Sequence, residues 1–185
     1  SGIEYIIERF MMVVKEVLRD PILDSRYVVT EEEHSNRSVS KDNFATKFIA
    51  MLNDQNGIIG RCRASMSNET FVSLLQCCTS QFSGLLVRNY KNKRFNELGA
   101  LTLQAEVRTL LDGINSMLSS GSVRSQMGNL QAFVWLLNVE HPKEVLDNPI
   151  LLKSSTLQND PGAIQSILRL RVEDSFLRAV DGISP

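Results

Sequence analysis

A chain of 185 residues forms one large or two small domains, and a hydrophobic fraction of 43% is ordinary for a globular protein. The 20 basic and 21 acidic residues give a net charge of −1, without the basic excess that nucleic-acid binders usually carry. We therefore expect no nucleic-acid partner.

The cysteines and the start of the chain bear on the cellular compartment of the protein. Cys77 and Cys78 are adjacent and Cys62 is the third, which argues against a disulfide framework and favours a reducing compartment. No apolar run reaches the roughly 18 residues that a membrane span needs, so we expect no transmembrane segment. The opening Ser1-Gly2 is unlike a signal peptide and indicates a fragment excised from a longer protein.

The N-terminal part of the chain begins with a helix and a long loop. Apolar residues at helical spacing predict a helix over residues 3–18. We expect it to end at Asp20-Pro21, because the residue before a proline avoids the α region. Residues 24–41 are polar and predict a loop, which we expect to be mobile.

Two further helices follow before residue 93. A helix with Ser40 or Asp42 as its candidate N-cap runs to Cys62, and Gly57 and Gly60 weaken its middle. An unbroken apolar stripe at intervals of three and four residues predicts the third helix over residues 71–86.

The C-terminal part opens with a predicted loop over residues 94–101. Thr102 is the candidate N-cap of a fourth helix over residues 103–118. Gly121 suits the left-handed residue that often ends a helix. A fifth helix is predicted over residues 123–137.

Two short helices are predicted to close the chain. His141-Pro142 ends the fifth helix, and residues 147–160 predict a loop. Asp160-Pro161 is a strong helix start, with an aspartate at the cap and a proline at the first helical position. Asp174 is the expected start of the last helix.

These elements together predict an all-α protein. No segment alternates polar and apolar residues for long enough to form a sheet. Helices joined by short loops pack antiparallel, so we expect a series of bundles stacked end to end as a rod. The predicted division is an N-terminal bundle segment over residues 1–93 and a small C-terminal bundle over residues 94–185.

The sequence offers little catalytic chemistry. His34 and His141 have no second ligand at metal spacing, and Cys77-Cys78 has no visible base. We therefore expect no catalytic residues, no metal and no cofactor. The basic cluster from Arg88 to Arg94 could contact acidic lipid headgroups or an acidic partner, but cations offsetting the dipole of a helix C-terminus are the favoured interpretation.

Three arginines are the candidate structural or partner-binding residues. Arg124 lies one residue into a predicted helix start, where a positive charge opposes the helix dipole, so either a specific partner or a plain surface position explains it. Arg169 and Arg171 alternate with apolar residues and are available to pair with carboxylates of neighbouring helices.

The order of several short motifs resembles the C-terminal region of the fourth subunit of the conserved oligomeric Golgi (COG) complex, a member of the helical-rod (CATCHR) tethering family. The motifs are Phe95-Asn96-Glu97-Leu98-Gly99-Ala100-Leu101, Glu106-Val107-Arg108-Thr109-Leu110, Val123-Arg124, Leu137-Asn138-Val139-Glu140, Glu144-Val145-Leu146-Asp147 and Ile167-Leu168-Arg169-Leu170-Arg171-Val172. The likeness covers most of residues 44–178, and residues 1–43 match nothing that we can place.

The resemblance implies a peripheral protein on the cytosolic face of the Golgi membrane. It implies a role in tethering retrograde transport vesicles, with other subunits of the complex, SNARE proteins and Rab GTPases as partners. The family has an arginine at the position of Arg124, held by a carboxylate near the start of the C-terminal helix. This chain has Ala163 where the family has that acid, so Asp160 or another acid substitutes for it, or Arg124 is free for a partner.

Two other readings stay open from the sequence. The chain could be a helical adaptor or solenoid scaffold outside the Golgi tethering machinery, for which equal helix pairs in a superhelix would be typical. An enzyme with an unrecognised site would need a deep polar pocket with converging groups. We expect a non-enzymatic protein that works by binding.

Overall fold

The computed structural model describes residues 2–39, 43–143, 145, 152 and 155–182. These residues form nine α-helices and two short 3-10 helices, Ser125–Met127 and Thr156–Asn159. The α-helices are α1 Gly2–Asp24, α2 Glu31–Val39, α3 Phe44–Asn53, α4 Ile58–Ser65, α5 Asn68–Tyr90, α6 Glu97–Asn115, α7 Gly128–Asn138, α8 Pro161–Leu168 and α9 Asp174–Asp181. Within the described residues the backbone forms no strand, only two isolated bridges, and the all-α prediction is confirmed.

Helix α1 continues one turn beyond its predicted end. The helix passes through Pro21 and ends at Asp24. Pro21 lies in the last turn, so the hydrogen bond that its missing N–H removes is near the helix end. The next residue, Ile22, is buried and attaches that turn to the core. Tertiary packing therefore outweighs the local preference of proline.

Helix α2 replaces part of the predicted loop over residues 24–41. Its start is a capping box, in which Thr30 N donates to Glu33 Oε2 at 2.8 Å and Glu33 N donates to Thr30 Oγ1 at 3.3 Å. Three acidic residues in its first turn, Glu31 to Glu33, complement the positive end of the helix dipole. The prediction of a loop over this segment was wrong because α2 has too few apolar residues to show periodicity.

The predicted second helix is two helices, α3 and α4. Asn43 is the N-cap of α3, and its Oδ1 accepts from Thr46 N at 2.9 Å. The predicted caps Ser40 and Asp42 lie outside the described residues. The chain turns between the helices, and a Cβ atom on Gly60 would lie 2.1 Å from Asp54 O, so a glycine is required there.

The helix ends around residue 121 differ from the prediction, since α6 ends at Asn115 instead of residue 118 and α7 begins at Gly128 instead of residue 123. Gly121 has a φ of 83°, the left-handed conformation predicted for it. A 3-10 helix precedes α7, which ends before His141-Pro142 as predicted. Asp160 Oδ1 caps α8 by accepting from Ala163 N at 2.9 Å, with Pro161 in its first turn, so this predicted start is confirmed. Of the predicted loop over residues 147–160, the structure describes residues 152 and 155–160, and Thr156–Asn159 form a 3-10 helix there.

The buried side chains form one hydrophobic cluster. Phe48 of α3 and Phe82 of α5 stack with their ring centroids 3.8 Å apart, and α6 packs against α2, α3 and α7. Buried residues before and after position 93 belong to this cluster, while the division into segments 1–93 and 94–185 stays a prediction.

Helix α5 is long and apolar enough, by length and composition, to cross a membrane. Its apolar face is buried against α1, α4 and α7, with Leu74, Leu75 and Phe82 fully covered. Core helices of folded domains pass the same test of length and composition, so this is weak evidence for a span.

Candidate functional site

Three distant chain segments meet at Phe95. Phe95 N donates to Leu170 O at 2.9 Å, and Val172 N donates to Phe95 O at 2.9 Å. On the other side, Asn96 N donates to Tyr27 O at 3.0 Å. These bonds produce the two isolated parallel bridges of the fold, Tyr27 to Phe95 and Phe95 to Arg171. We call this meeting point the junction.

Asn96 connects the junction to the start of α6. Its Oδ1 accepts from Gly99 N at 2.9 Å and from Val29 N at 3.2 Å, while its Nδ2 donates to Val29 O at 2.7 Å. Helix α6 therefore starts at Glu97, and the prediction of Thr102 as its N-cap was wrong. The reason is that an asparagine side chain is an equally good cap and here has a second set of backbone partners.

Gly99 allows the segments to approach each other. A Cβ atom at this position would lie 1.6 Å from Tyr27 O and 2.4 Å from Tyr27 C, which no side chain tolerates. The glycine is needed for this close backbone contact and not for its own conformation, since it lies within α6.

A buried carboxylate lies below the junction. Glu106 of α6 is 5% exposed. Its Oε2 accepts from Tyr27 Oη at 2.7 Å, and its Oε1 accepts from an Arg37 guanidinium nitrogen at 2.9 Å. Arg37 also donates to Arg26 O and lies with its Cζ 4.9 Å from the centre of the Tyr27 ring. We call Tyr27, Arg37 and Glu106 the α2 clasp, because they hold α2 against α6.

Tyr27 acts in the clasp as a neutral donor. Burial raises the pKa of Tyr27 far above its ordinary value, and the charge of Glu106 raises this pKa further. Rings of Tyr90 and Phe95 contact the Tyr27 ring, with centroids at 5.6 and 5.0 Å. The phenol is thus held by aromatic packing while its hydroxyl proton is directed to the carboxylate.

Sequence reasoning missed the α2 clasp, although one signal was present. Glu106 falls on the apolar stripe of α6, between Leu103 and Leu110, where a charged residue must have an internal partner. His34 of α2, assigned above to a loop, contacts the same helix through Nδ1, 2.7 Å from Thr102 Oγ1.

Arg171 lies on the other side of the junction and is 6% exposed. It donates to Leu137 O at 2.7 Å and to Glu173 Oε2 at 2.8 Å, and its Cζ is 4.6 Å from the centre of the Phe176 ring. Glu173 Oε1 in turn accepts from Glu97 N at 2.6 Å. Arg171 and Glu173 thus supply hydrogen-bond partners to a carbonyl at the end of α7 and to an N–H at the start of α6.

Glu173 is held in its ionised form. Burial acts to raise the pKa of Glu173, but the hydrogen bonds from Arg171 and from Glu97 N lower it by more, and the net shift is downward. The Arg171–Glu173 pair is therefore charged on both sides at neutral pH, which suits a structural link between two helix ends.

The other two candidate arginines lie at the surface. Arg169 pairs with Asp181 of α9 at 3.1 Å, and its carbonyl oxygen accepts from Arg94 at 2.6 Å. Arg124 is exposed, and its predicted place one residue into a helix start was wrong, because it precedes a 3-10 helix and the α-helix begins only at Gly128. No described residue forms an ion pair with its side chain. Asp160 is occupied as the cap of α8. The structure does not bring the three arginines together.

Part of the predicted basic cluster, Arg88 to Arg94, donates hydrogen bonds to backbone carbonyls. Lys93 donates to Leu23 O at 2.9 Å and to Ser25 O at 2.6 Å, which places its charge at the C-terminal end of α1. Arg88 and Lys91 remain exposed. Among the described residues, no group of three or more His, Cys, Asp or Glu side chains has the arrangement of a metal site.

The family model described as "Conserved oligomeric Golgi complex subunit 4, C-terminal" matches residues 1–169. The chain belongs to this family. The match includes residues 1–43, which the resemblance by motifs had left unplaced. The junction and the α2 clasp are therefore features of a member of the subunit 4 C-terminal family.

Curated relatives carry the same name. The human and mouse proteins named conserved oligomeric Golgi complex subunit 4 are each 26% identical to the chain over 149 residues, which is 77% of the chain and 18% of the relative. The Arabidopsis thaliana protein of that name is 23% identical over 180 residues, which is 94% of the chain and 23% of the relative. The chain spans about a fifth of the length of these relatives.

Proposed function

We propose that this chain is part of a non-enzymatic subunit of a vesicle-tethering complex that acts in intra-Golgi retrograde transport. The observation that carries the proposal is the family match over residues 1–169, together with relatives named for the Golgi complex. The full-length protein acts by binding other proteins at the cytosolic face of the Golgi membrane, as a peripheral component. Its partners are other subunits of the complex, SNARE proteins and Rab GTPases.

The contacts of the buried charged side chains support a role in binding. The most deeply buried carboxylate and guanidinium of the described residues, Glu106 and Arg171, are satisfied by internal partners and link helices. Their geometry is that of residues which fix the relative positions of helices.

The alternative of a solenoid scaffold has less support. Solenoids stack helix pairs of similar length, whereas the described helices range from 8 residues in α4 to 23 in α5. A long pair, α1 with α5, packs against shorter helices. This inequality favours bundles, and we propose that these bundles form part of a rod in the full-length subunit.

Arg124 is the surface residue that we propose as a partner contact. We expect Arg124→Trp to impair transport while the fold is largely kept, because the side chain is exposed and no described residue pairs with it. The test expresses the full-length protein in cells lacking their own subunit. Retrograde transport is measured as the retrieval of glycosidases to the Golgi, and assembly is measured as the amount of the other subunits that co-purifies.

The control is Arg108→Trp, which changes an exposed arginine on α6 in the same way. We expect the unaltered protein and the control to restore transport and to bring down the other subunits. Restored transport in the Arg124 variant would remove its assigned role. Failure of the unaltered protein to associate with any subunit of the complex would contradict the proposed function itself.

A further inference from the structure

A groove of about 520 Å³ lies beside the junction. Its walls are the start of α6, the segment that follows α7, and α9. We call it the junction groove and define it by six of its lining residues, Glu97, Leu101, Glu140, Pro142, Phe176 and Ala179. A volume of this size accommodates a few side chains of a partner segment.

The base of the junction groove is apolar and fixed. Phe176 is buried, and its ring is held on one face by the Arg171 guanidinium at 4.6 Å. Leu101 projects from α6 into the groove and is 41% exposed, whereas Leu103 and Leu110 of the same helix are buried. An apolar side chain of a partner would cover this leucine.

The rim of the junction groove is acidic. Glu97 and Glu140 line it, both are exposed, and neither side chain forms an ion pair with a described residue. The other charged lining residues, Arg171 and Glu173, neutralise each other at 2.8 Å. His141 is the remaining titratable side chain of the lining. Two carboxylates without an ion pair among the described residues therefore lie at the mouth of the groove.

We propose that the junction groove binds an amphipathic segment of a partner protein, in which lysine or arginine side chains flank an apolar residue. The apolar residue covers Leu101 against Phe176, and the flanking cations approach Glu97 and Glu140. An acidic segment would place like charges together at the rim, which opposes association. The proposal holds for any binding role of the chain, so its failure and the failure of the Golgi proposal are separate results.

The test uses two synthetic peptides and the 185-residue chain. One peptide has leucines at intervals of three and four residues with lysines between them, so that it forms an amphipathic helix, and its matched partner has glutamate in place of every lysine. Affinity is measured by fluorescence anisotropy, and the site is located by amide chemical shifts. We expect the lysine peptide to bind at least about tenfold more tightly, since two ion pairs are gained and two repulsions avoided. Its largest shifts should fall at Leu101, Glu140 and Phe176.

Substitutions at the rim test the source of the specificity. We expect Glu97→Gln with Glu140→Gln to weaken binding of the lysine peptide roughly three- to tenfold, as the loss of two exposed ion pairs implies. The matched control is Glu8→Gln with Glu16→Gln, which removes the same charge from exposed positions of α1 and should leave affinity unchanged. Equal effects of the two double substitutions would overturn the proposal, because binding would then follow net charge alone.

A third variant tests the apolar base. We expect Leu101→Ser, at a position already exposed, to keep the urea midpoint of the chain and to weaken the lysine peptide at least threefold. Three results would overturn the proposal: equal binding of both peptides, shifts centred away from the groove, or a self-association of the chain that competes with the peptide and assigns the groove to a second copy.

Discussion

Removal of the carboxylate in the α2 clasp should be costly. We expect Glu106→Ala to destabilise the chain by about 2–4 kcal/mol. Tyr27 Oη loses an acceptor at 2.7 Å in a buried place, and a hydrogen bond to a charged group contributes about 1.5–3 kcal/mol. Arg37 loses its ion pair, but its side chain is 28% exposed, so water recovers part of that loss.

The measurement is urea unfolding at pH 7. With a slope of about 2–3 kcal/mol/M for a chain of this size, the midpoint should fall by about 1 M. Glu106→Gln should cost less, about 1–2 kcal/mol, because its amide oxygen still accepts from Tyr27 while the ion pair is lost.

The control lies on the same helix. Arg108 pairs with Asp112 at 3.8 Å, and their side chains are 83% and 70% exposed. We expect Arg108→Ala to cost no more than about 0.5 kcal/mol, as is typical for an exposed pair four residues apart on a helix. If Glu106→Ala shifts the midpoint no further than Arg108→Ala, the assignment of the α2 clasp as a stabilising contact is refuted.

Three further perturbations test the core, the junction and the pair beside it. Leu110 is 1% exposed, so Leu110→Ala should destabilise by about 2–5 kcal/mol, and an unchanged urea midpoint would show that the assigned core face is wrong. Gly99→Ala should cost at least about 2 kcal/mol, because the new Cβ meets Tyr27 O; a thermal midpoint equal to that of the unaltered chain would contradict this close approach. The pKa of Glu173 is lowered in the folded state, so its contribution is fully present above the unfolded value of 4.5 and is lost as the pH falls through the lower folded-state pKa. Stability measured from pH 7 to pH 3 should therefore fall less in Glu173→Gln than in the unaltered chain, and parallel curves would exclude this role.

The α2 segment shows where sequence reasoning failed. Its residues Glu31 to Arg37 are polar throughout, so no periodic stripe marks them as helical. The helix depends on the capping box at Thr30 and on the contact of Arg37 with Glu106, which lies 69 residues further along the chain. The start of α2 could have been predicted from the sequence, since a threonine followed three residues later by a glutamate is a known helix start. Its contact with Glu106 could not.

Helices α5, α6 and α8 show the opposite case. Apolar spacing placed α5 and α6 along the chain, although it missed the start of α6, because a helix that buries one face must repeat apolar residues every three to four positions. Asp160-Pro161 likewise set the start of α8 through local chemistry. The order of short motifs led to the family that the match over residues 1–169 confirms.

The sequence by itself determined the helical class and the family, since both depend on periodicity and on the order of residues along the chain. Only the tertiary structure decided which polar groups are internal. The place of Glu106 on an apolar stripe indicated an internal partner, but only the folded chain shows that this partner is Tyr27 with Arg37. The folded chain likewise buries Arg171 and leaves Arg124 at the surface. The physical reason is that burial and pairing of a charge depend on segments far apart in sequence, as Tyr27, Phe95 and Arg171 are.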